Sequence, residues 1–287
     1  MPNDFASAQR LASAMSVEFA PIEIRDFPDG ETLVRASDAA RQTILYCSLN
    51  NPNEKLAPLV LAASALRDLG AEEIILVAPY LCYMRQDKAF HRGEAVSQRV
   101  IAKLLSSWID QLVTVEPHLH RVQDLGSVFP DIKSISLSGA LLLAELIDRD
   151  DAKDDVLLVG PDQEAGAWTK AVAQKAQLPY VVLTKKRLGD RDVSITIPKE
   201  ATVKGKHIYL VDDVVSTGAT LASAATLLRE QGAAMIEALT VHALCSSEDL
   251  KHLKAAGITR LRSTDTVSHE TNAISIAPLL AAALVRE

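Results

Sequence analysis

Short β-rich runs alternate with segments of helical periodicity along most of the chain, and this alternation restricts the available folds more than any other feature. The β-rich runs lie at 43–49, 73–78, 112–115, 155–159, 180–183, 207–211 and 236–243. Helix-period segments fall between them at 57–69, 97–107, 139–148, 165–176, 219–231 and 249–256. Strands and helices of this size in strict succession predict βαβ units around a mostly parallel sheet. Gly70 and Gly232 each stand just past a helical run, where a residue free to take a left-handed conformation ends a helix. Pro179 stands where a strand opens, a position that needs no ladder hydrogen bond.

The chain also echoes itself. Leu66-Arg67-Asp68-Leu69-Gly70-Ala71, then two residues and Ile74, matches Leu228-Arg229-Glu230-Gln231-Gly232-Ala233, then two residues and Ile236, at a constant offset of 162. Carried backwards, that register sets Ile44-Leu45-Tyr46 against Lys206-His207-Ile208 and predicts strand, loop, helix, Gly-Ala and strand in each half. It also sets Asp212 and Asp213 on Asn50 and Asn51, so paired carboxylates occur only in the second copy.

A chain of 287 residues has room for one large domain or two smaller ones, and the echo favours two. A net charge of −7 argues against binding nucleic acid through the overall surface, and 4% aromatic residues argue against stacking along a single strand. No run approaches the roughly 20 apolar residues that cross a bilayer, so no membrane partner is expected. Met1-Pro2-Asn3-Asp4-Phe5 is not the start of a secretory signal, and Cys47, Cys82 and Cys245 form no Cys-x-x-Cys pair. A cytoplasmic protein is expected on these grounds.

The strongest chemical signal is the string from His207 to Thr220, in which a β-branched run ends in Asp212-Asp213 and passes through Val214-Val215 into Ser216-Thr217-Gly218-Ala219-Thr220. Hydroxyls, small residues and backbone N–H groups at a helix N-terminus suit a phosphate. Two carboxylates just before them suit sugar hydroxyls or a divalent ion. An isolated Asp-Asp would be read as a strand-end pair before a Ser/Thr helix cap; the full string asks for more. Asp26-Phe27-Pro28-Asp29-Gly30-Glu31, Pro79-Tyr80-Leu81-Cys82-Tyr83-Met84-Arg85-Gln86-Asp87-Lys88, Glu116-Pro117-His118 with His120, Val159-Gly160-Pro161-Asp162 and Thr184-Lys185-Lys186-Arg187 carry further candidate chemistry. Alone, Arg85–Lys88 reads as a solvated loop, Lys185–Arg187 as a basic turn, and Asp162 equally as a helix N-cap or a ligand contact.

The Asp212–Thr220 string resembles the phosphoribosyl-pyrophosphate motif shared by type I phosphoribosyltransferases and ribose-phosphate pyrophosphokinases. The segments around Asp29 and Arg85 resemble the pyrophosphokinases alone, and the likeness runs from about residue 22 to the C-terminus. That resemblance implies an α/β fold of two similar lobes, each with a central mostly parallel sheet flanked by helices: a duplicated type I phosphoribosyltransferase-like domain. The lobes are expected at 1–138, with the ATP-binding segments, and 139–287, with the ribose-phosphate and catalytic loops. Gln163-Glu164-Ala165-Gly166 in place of the family's Gly-Gly, and Leu188-Gly189 after the basic segment, mark a divergent branch.

By the same resemblance, the expected activity is ribose-phosphate diphosphokinase: the diphosphoryl group of ATP passes to the 1-hydroxyl of ribose 5-phosphate, giving phosphoribosyl pyrophosphate and AMP. Phe27, Asp29, Gly30, Glu31, Arg85, Gln86 and Asp87 are the implied ATP contacts. Asp212, Asp213, Ser216, Thr217, Gly218, Ala219 and Thr220, with Arg187, are the implied ribose 5-phosphate contacts. Lys185 and Arg187 are the implied catalytic cations, and His118 and Asp162 the implied residues for Mg2+. A homo-oligomer is implied as well. The rival readings are a phosphoribosyltransferase that consumes phosphoribosyl pyrophosphate and a non-catalytic regulatory paralogue.

Overall fold

Parallel strands buried on both faces read as unbroken apolar runs. Ile74-Ile75-Leu76-Val77 and Val156-Leu157-Leu158-Val159 meet that demand. Each lies inside a parallel sheet of the computed structural model, which describes residues 1–119, 122, 124–148, 155–187, 193–198 and 201–285. The chain forms two compact units, one of 1–138, 266–268 and 276–287, the other of 139–265 and 269–275.

In the first unit α1 (Phe5–Met15) precedes an antiparallel hairpin of β1 (Glu23–Asp26) and β2 (Thr32–Arg35). β3 (Gln42–Tyr46), α2 (Pro52–Asp68), β4 (Glu73–Val77), α3 (Ser97–Ser106), β5 (Gln111–Val115) and β6 (Lys133–Leu137) follow. The four strands β3-β4-β5-β6 pair in that order, all parallel. Leu59, Ala62, Ala63 and Leu66 of α2 pack with Leu45, Ile74, Leu76 and Leu112 of the sheet in the core.

The second unit opens with α4 (Ala140–Asp148), β7 (Val156–Gly160), α5 (Gly166–Ala176) and β8 (Tyr180–Val182). A hairpin of β9 (Thr184–Arg187) and β10 (Val193–Thr196) follows. Then come β11 (His207–Val215), α6 (Ala219–Glu230), β12 (Met235–Ala243), α7 (Ser247–Ala256), β13 (Arg260–Thr264) and β14 (Asn272–Ile274). The six-stranded parallel sheet has the order β14-β13-β12-β11-β7-β8. Chain order therefore reverses between β7 and β11, which makes that gap a topological switch point. The expected second lobe ran to 287, whereas the compact units return 266–268 and 276–287 to the first. The reason is local: Ser48 Oγ donates to Thr266 O at 2.5 Å, and α8 (Ala277–Leu284) packs on α1.

The echo survives as matching backbone bonds. Gly70 N–H donates to Arg67 O and Ala71 N–H to Leu66 O, as Gly232 donates to Arg229 and Ala233 to Leu228. Both glycines take positive φ, 101° and 83°, so the same cap ends both helices. The sheet corrects the register further back. Thr43 pairs with Ile74 and Ile208 with Ile236, so the first strands correspond at an offset of 165 and only the helices and second strands at 162. Asp212 and Asp213 thus fall on Cys47 and Ser48, not on Asn50 and Asn51.

One ionic network is buried in the second unit's sheet. Glu237 on β12 is 6% exposed and accepts from Arg262 Nη2 at 3.0 Å and Arg260 Nε at 3.2 Å. Arg262, 7% exposed, also donates to Leu146 O of α4 at 3.2 Å, tying helix to sheet. Removing one member of a buried pair leaves the other charge uncompensated, at about 3–5 kcal/mol, while a half-exposed partner is worth about 1 kcal/mol or less. Arg262→Ala is therefore expected to lower the urea midpoint strongly and Arg260→Ala only slightly. Circular dichroism of the two variants measures this, and equal midpoints would contradict the assignment.

Candidate active site

The acids of the motif stand on a strand that outruns its neighbour. β11 pairs with β7 from His207 to Leu210 only, whereas its ladder with β12 continues to Val215, with Asp212 opposite Thr240. The strand expected to stop at 211 thus carries both acids past the end of β7. Thr240 Oγ1 donates to Asp213 O at 3.1 Å, and Asp213 N–H donates to Asp212 Oδ1 at 3.0 Å. These bonds fix the backbone that presents the carboxylates at the carboxyl edge of the sheet, beside the switch point.

Asp162 lies two residues beyond the end of β7. Its Oδ1 accepts the N–H groups of Glu164 at 3.0 Å and Ala165 at 3.3 Å, which shapes the turn into α5. Gly160, at the strand end, is needed because a Cβ there would stand 2.6 Å from Thr169 Oγ1 of α5. The three carboxylates feel each other: burial first, then the charges of Asp213 and Asp162, push Asp212 up to about 8. A half-buried cluster of like charge favours a proton, a cation or hydrogen-bond donors at that point.

Ser216, Thr217 and Ala219 are exposed, Thr220 is half-buried, and Gly218 is buried at the N-terminus of α6. Gly218 has φ 71°, and a Cβ would meet Leu253 Cδ2 at 2.8 Å, so a side chain is excluded by both conformation and space. Thr217 Oγ1 accepts from Ala219 N–H at 3.4 Å. Carboxylate acceptors on the strand end and donors on the helix start are therefore separated by the loop that joins them.

The first unit holds the segments of the implied ATP contacts and His118. Phe27, Asp29, Gly30 and Glu31 form the exposed turn between β1 and β2, closed by Gly30 N–H to Phe27 O at 3.0 Å and Glu31 N–H to Asp29 Oδ1 at 3.1 Å. The guanidinium of Arg25 lies 4.9 Å above the Phe27 ring. Beyond β4, Arg85 is exposed and Gln86 and Asp87 are half-buried. Gln86 is held by the start of α3, its Oε1 accepting from Ser97 Oγ at 2.8 Å and its backbone O from Gln98 N–H at 3.3 Å. His118 is half-buried after β5.

Taken alone the basic segment reads as a turn, but Thr184–Arg187 is a strand, with Lys185 opposite Ile195 and Arg187 opposite Val193. The side chains of Lys185, Lys186 and Arg187, together with His120 and residues 188–192, lie outside the described residues. In the second unit the structure brings together Asp162, Asp212 and Asp213. Thr240, Leu253 and Ser97 escaped the sequence reading, since a strand threonine, a helix leucine and a first-turn serine carry no signal until register places them.

Two family models match the chain: the N-terminal domain of ribose phosphate pyrophosphokinase over residues 3–108 and the phosphoribosyl transferase domain over 131–273. A ribose-phosphate pyrophosphokinase of Methanopyrus kandleri is 36% identical, covering 96% of this chain and 94% of that protein. Ribose-phosphate pyrophosphokinase 2 of Archaeoglobus fulgidus is 35% identical, covering 98% and 97%. The crystal structure of phosphoribosylpyrophosphate synthetase from Mycobacterium smegmatis superposes with a TM-score of 0.83 at 27% identity, covering 98% and 94%. With a strand-end acid cluster and a Ser-Thr-Gly loop in one unit, and likeness along nearly its whole length, the chain belongs to the ribose-phosphate pyrophosphokinase family.

Proposed function

We propose that this chain transfers the diphosphoryl group of ATP to ribose 5-phosphate with the residues named above. The observation that carries the reading is the Asp212–Thr220 run at the switch point, in a chain that also has the family's N-terminal domain over 3–108. A phosphoribosyltransferase that consumes phosphoribosyl pyrophosphate has no use for that added domain. The proposed division of labour places the ATP residues in 1–138 and the ribose-phosphate and catalytic residues in 139–287.

Asp212 and Asp213 accept hydrogen bonds from the ribose hydroxyls, and Ser216, Thr217, Gly218, Ala219 and Thr220 take the 5-phosphate through hydroxyls and backbone N–H groups. Phe27, Asp29, Gly30, Glu31, Arg85, Gln86 and Asp87 hold ATP. The sugar's 1-oxygen forms a bond to the β-phosphorus as the bond between that phosphorus and the bridging oxygen of AMP breaks, and the hydroxyl proton is released. Such transfers ask the protein for positioning and charge stabilisation, which is the role assigned to Lys185 and Arg187.

The family uses Mg2+. Asp162 and His118 are the residues proposed to hold it, although among the described residues no group of three or more His, Cys, Asp and Glu is arranged to hold a metal ion. A carboxylate such as Asp162 fits Mg2+, which keeps waters and phosphate oxygens and needs few protein ligands, and a dication beside it would relieve the repulsion at Asp212. Bound there, it would neutralise charge on the diphosphoryl oxygens. Among the described residues no helix is long and apolar enough to cross a membrane. A cytoplasmic homo-oligomer is part of this reading.

Incubation with ATP, ribose 5-phosphate and Mg2+ is expected to release AMP in step with phosphoribosyl pyrophosphate. ATP binding without AMP would instead favour the regulatory paralogue. Lys185→Ala is expected to lower kcat roughly 10²–10³-fold with folding intact, and near-normal turnover would remove Lys185 from the catalytic role.

Asp212 supplies a pH test. Its folded value of about 8 lies above the ordinary 3.8, so the fold holds the proton more tightly than the unfolded chain does. The resulting stability is fully present below 3.8 and is lost as pH rises through about 8. Asp212→Asn is therefore expected to melt with the wild type near the acid end and several degrees above it beyond pH 8, both in EDTA. Adding Mg2+ is expected to narrow the alkaline gap. A melting difference independent of pH would sink this account of the cluster.

A further inference from the structure

Among the described residues Phe90 is the most exposed phenylalanine, at 60%, in the segment that follows Arg85, Gln86 and Asp87. The segment is closed at its base and braced within. Its base is the pair of bonds from Ser97 Oγ and Gln98 N–H to Gln86. Its brace is Glu94, whose Oε2 accepts the N–H groups of Phe90 at 2.7 Å and His91 at 3.1 Å, while Oε1 meets His91 Nδ1 at 2.6 Å. Those bonds, the His91 side chain first, hold the Glu94 carboxyl below its ordinary value. One oxygen of the carboxylate thus holds the backbone that carries Phe90, and the other holds the neighbouring imidazole.

The ring itself is half prepared. Lys88 Nζ stands 5.0 Å from its centroid, so one face is covered by a cation. Among the described residues the same arrangement, an exposed phenylalanine beneath a cation, recurs at Arg25 and Phe27. Phe27 is itself among the residues assigned to ATP, and Phe90 stands three residues beyond Asp87, the last of them. A ring with one cationic face and one face in water is a stacking platform for a flat, neutral π-system, and the cation beside it favours a ligand that also carries phosphate.

We infer that Phe90 stacks on the base of a bound purine nucleotide, extending the nucleotide site beyond the Arg85–Asp87 run. The inference rests on the ATP-binding reading above and adds a residue that neither the resemblance nor the comparisons assign. Glu94 is a positioning residue in this arrangement, since it holds the backbone of the loop and not the nucleotide.

The test combines steady-state kinetics with a fluorescence titration. Phe90→Ala is expected to raise KM for ATP about tenfold, with kcat and the KM for ribose 5-phosphate little changed. Phe90→Trp is expected to restore the KM. Its added indole fluorescence is expected to be quenched by ATP but not by inorganic tripolyphosphate, which has the phosphates without the base. An unchanged KM for ATP in Phe90→Ala protein that still releases AMP would overturn the inference, as would equal quenching by tripolyphosphate. Should the wild-type chain release no AMP, the reading of its activity fails, while the titration still decides this one: quenching by ATP alone supports it, and no quenching refutes it.

Discussion

The unequal ladders on the two sides of β11 govern the second unit. Against β7 the strand is paired only as far as Leu210, and against β12 it is paired to Val215. The excess length is held by one neighbour and projects past the other, so Asp212 and Asp213 sit where backbone order is high and one flank is open. The order β14-β13-β12-β11-β7-β8 puts that flank at the reversal of chain direction, where the helices after β7 and β11 diverge. Equal ladders would have buried the acids between strands, and such a position tolerates no charge without a partner.

The first unit shows what the same scaffold becomes without that chemistry. Its equivalents of Asp212 and Asp213 are Cys47 and Ser48, 0% and 1% exposed. Ser48 Oγ donates to Thr266 O, and Lys55 Nζ donates to Ser48 O at 2.6 Å and Asn50 Oδ1 at 2.7 Å. α2 also begins five residues earlier than α6 in their shared helix register, so helix stands where the second unit has its Ser-Thr-Gly loop. Strand end and helix start are spent on packing in one copy, whereas in the other Ser216, Thr217 and Ala219 stay exposed.

Legibility in the sequence followed burial. β4 and β7 are apolar on both faces over their buried residues and announce themselves, and the helices beside them keep their period. β1 and β2 are four residues each with charges among them, too short for an alternation of two to stand out. β13 hid because Arg260 and Arg262 look like surface residues until Glu237 is set beside them. The repeat misled in one respect: its identities lie in the helix and the second strand, so nothing in them reveals three extra residues after the first strand. Of the site, the motif residues were legible because their types announce their chemistry. Thr240 and Leu253 were not, because a backbone bond to Asp213 and a wall behind Gly218 exist only in three dimensions.

The site also resolves an apparent conflict of charge. On the proposed reading a chain of net charge −7 holds a polyanion beside three carboxylates of its own. The two kinds of group are kept apart along one continuous segment. Strand β11 ends in acceptors, which suit hydroxyl donors on a sugar, and α6 begins with orphan N–H groups and hydroxyls, which suit a phosphate. A sugar phosphate has donors at one end and an anion at the other, so it is polarised in the same sense as the segment. Burial and then the charges of Asp213 and Asp162 lift Asp212, and on the proposed reading a ligand offering hydroxyl donors there would relieve the strain, whereas an anion without them would add to it.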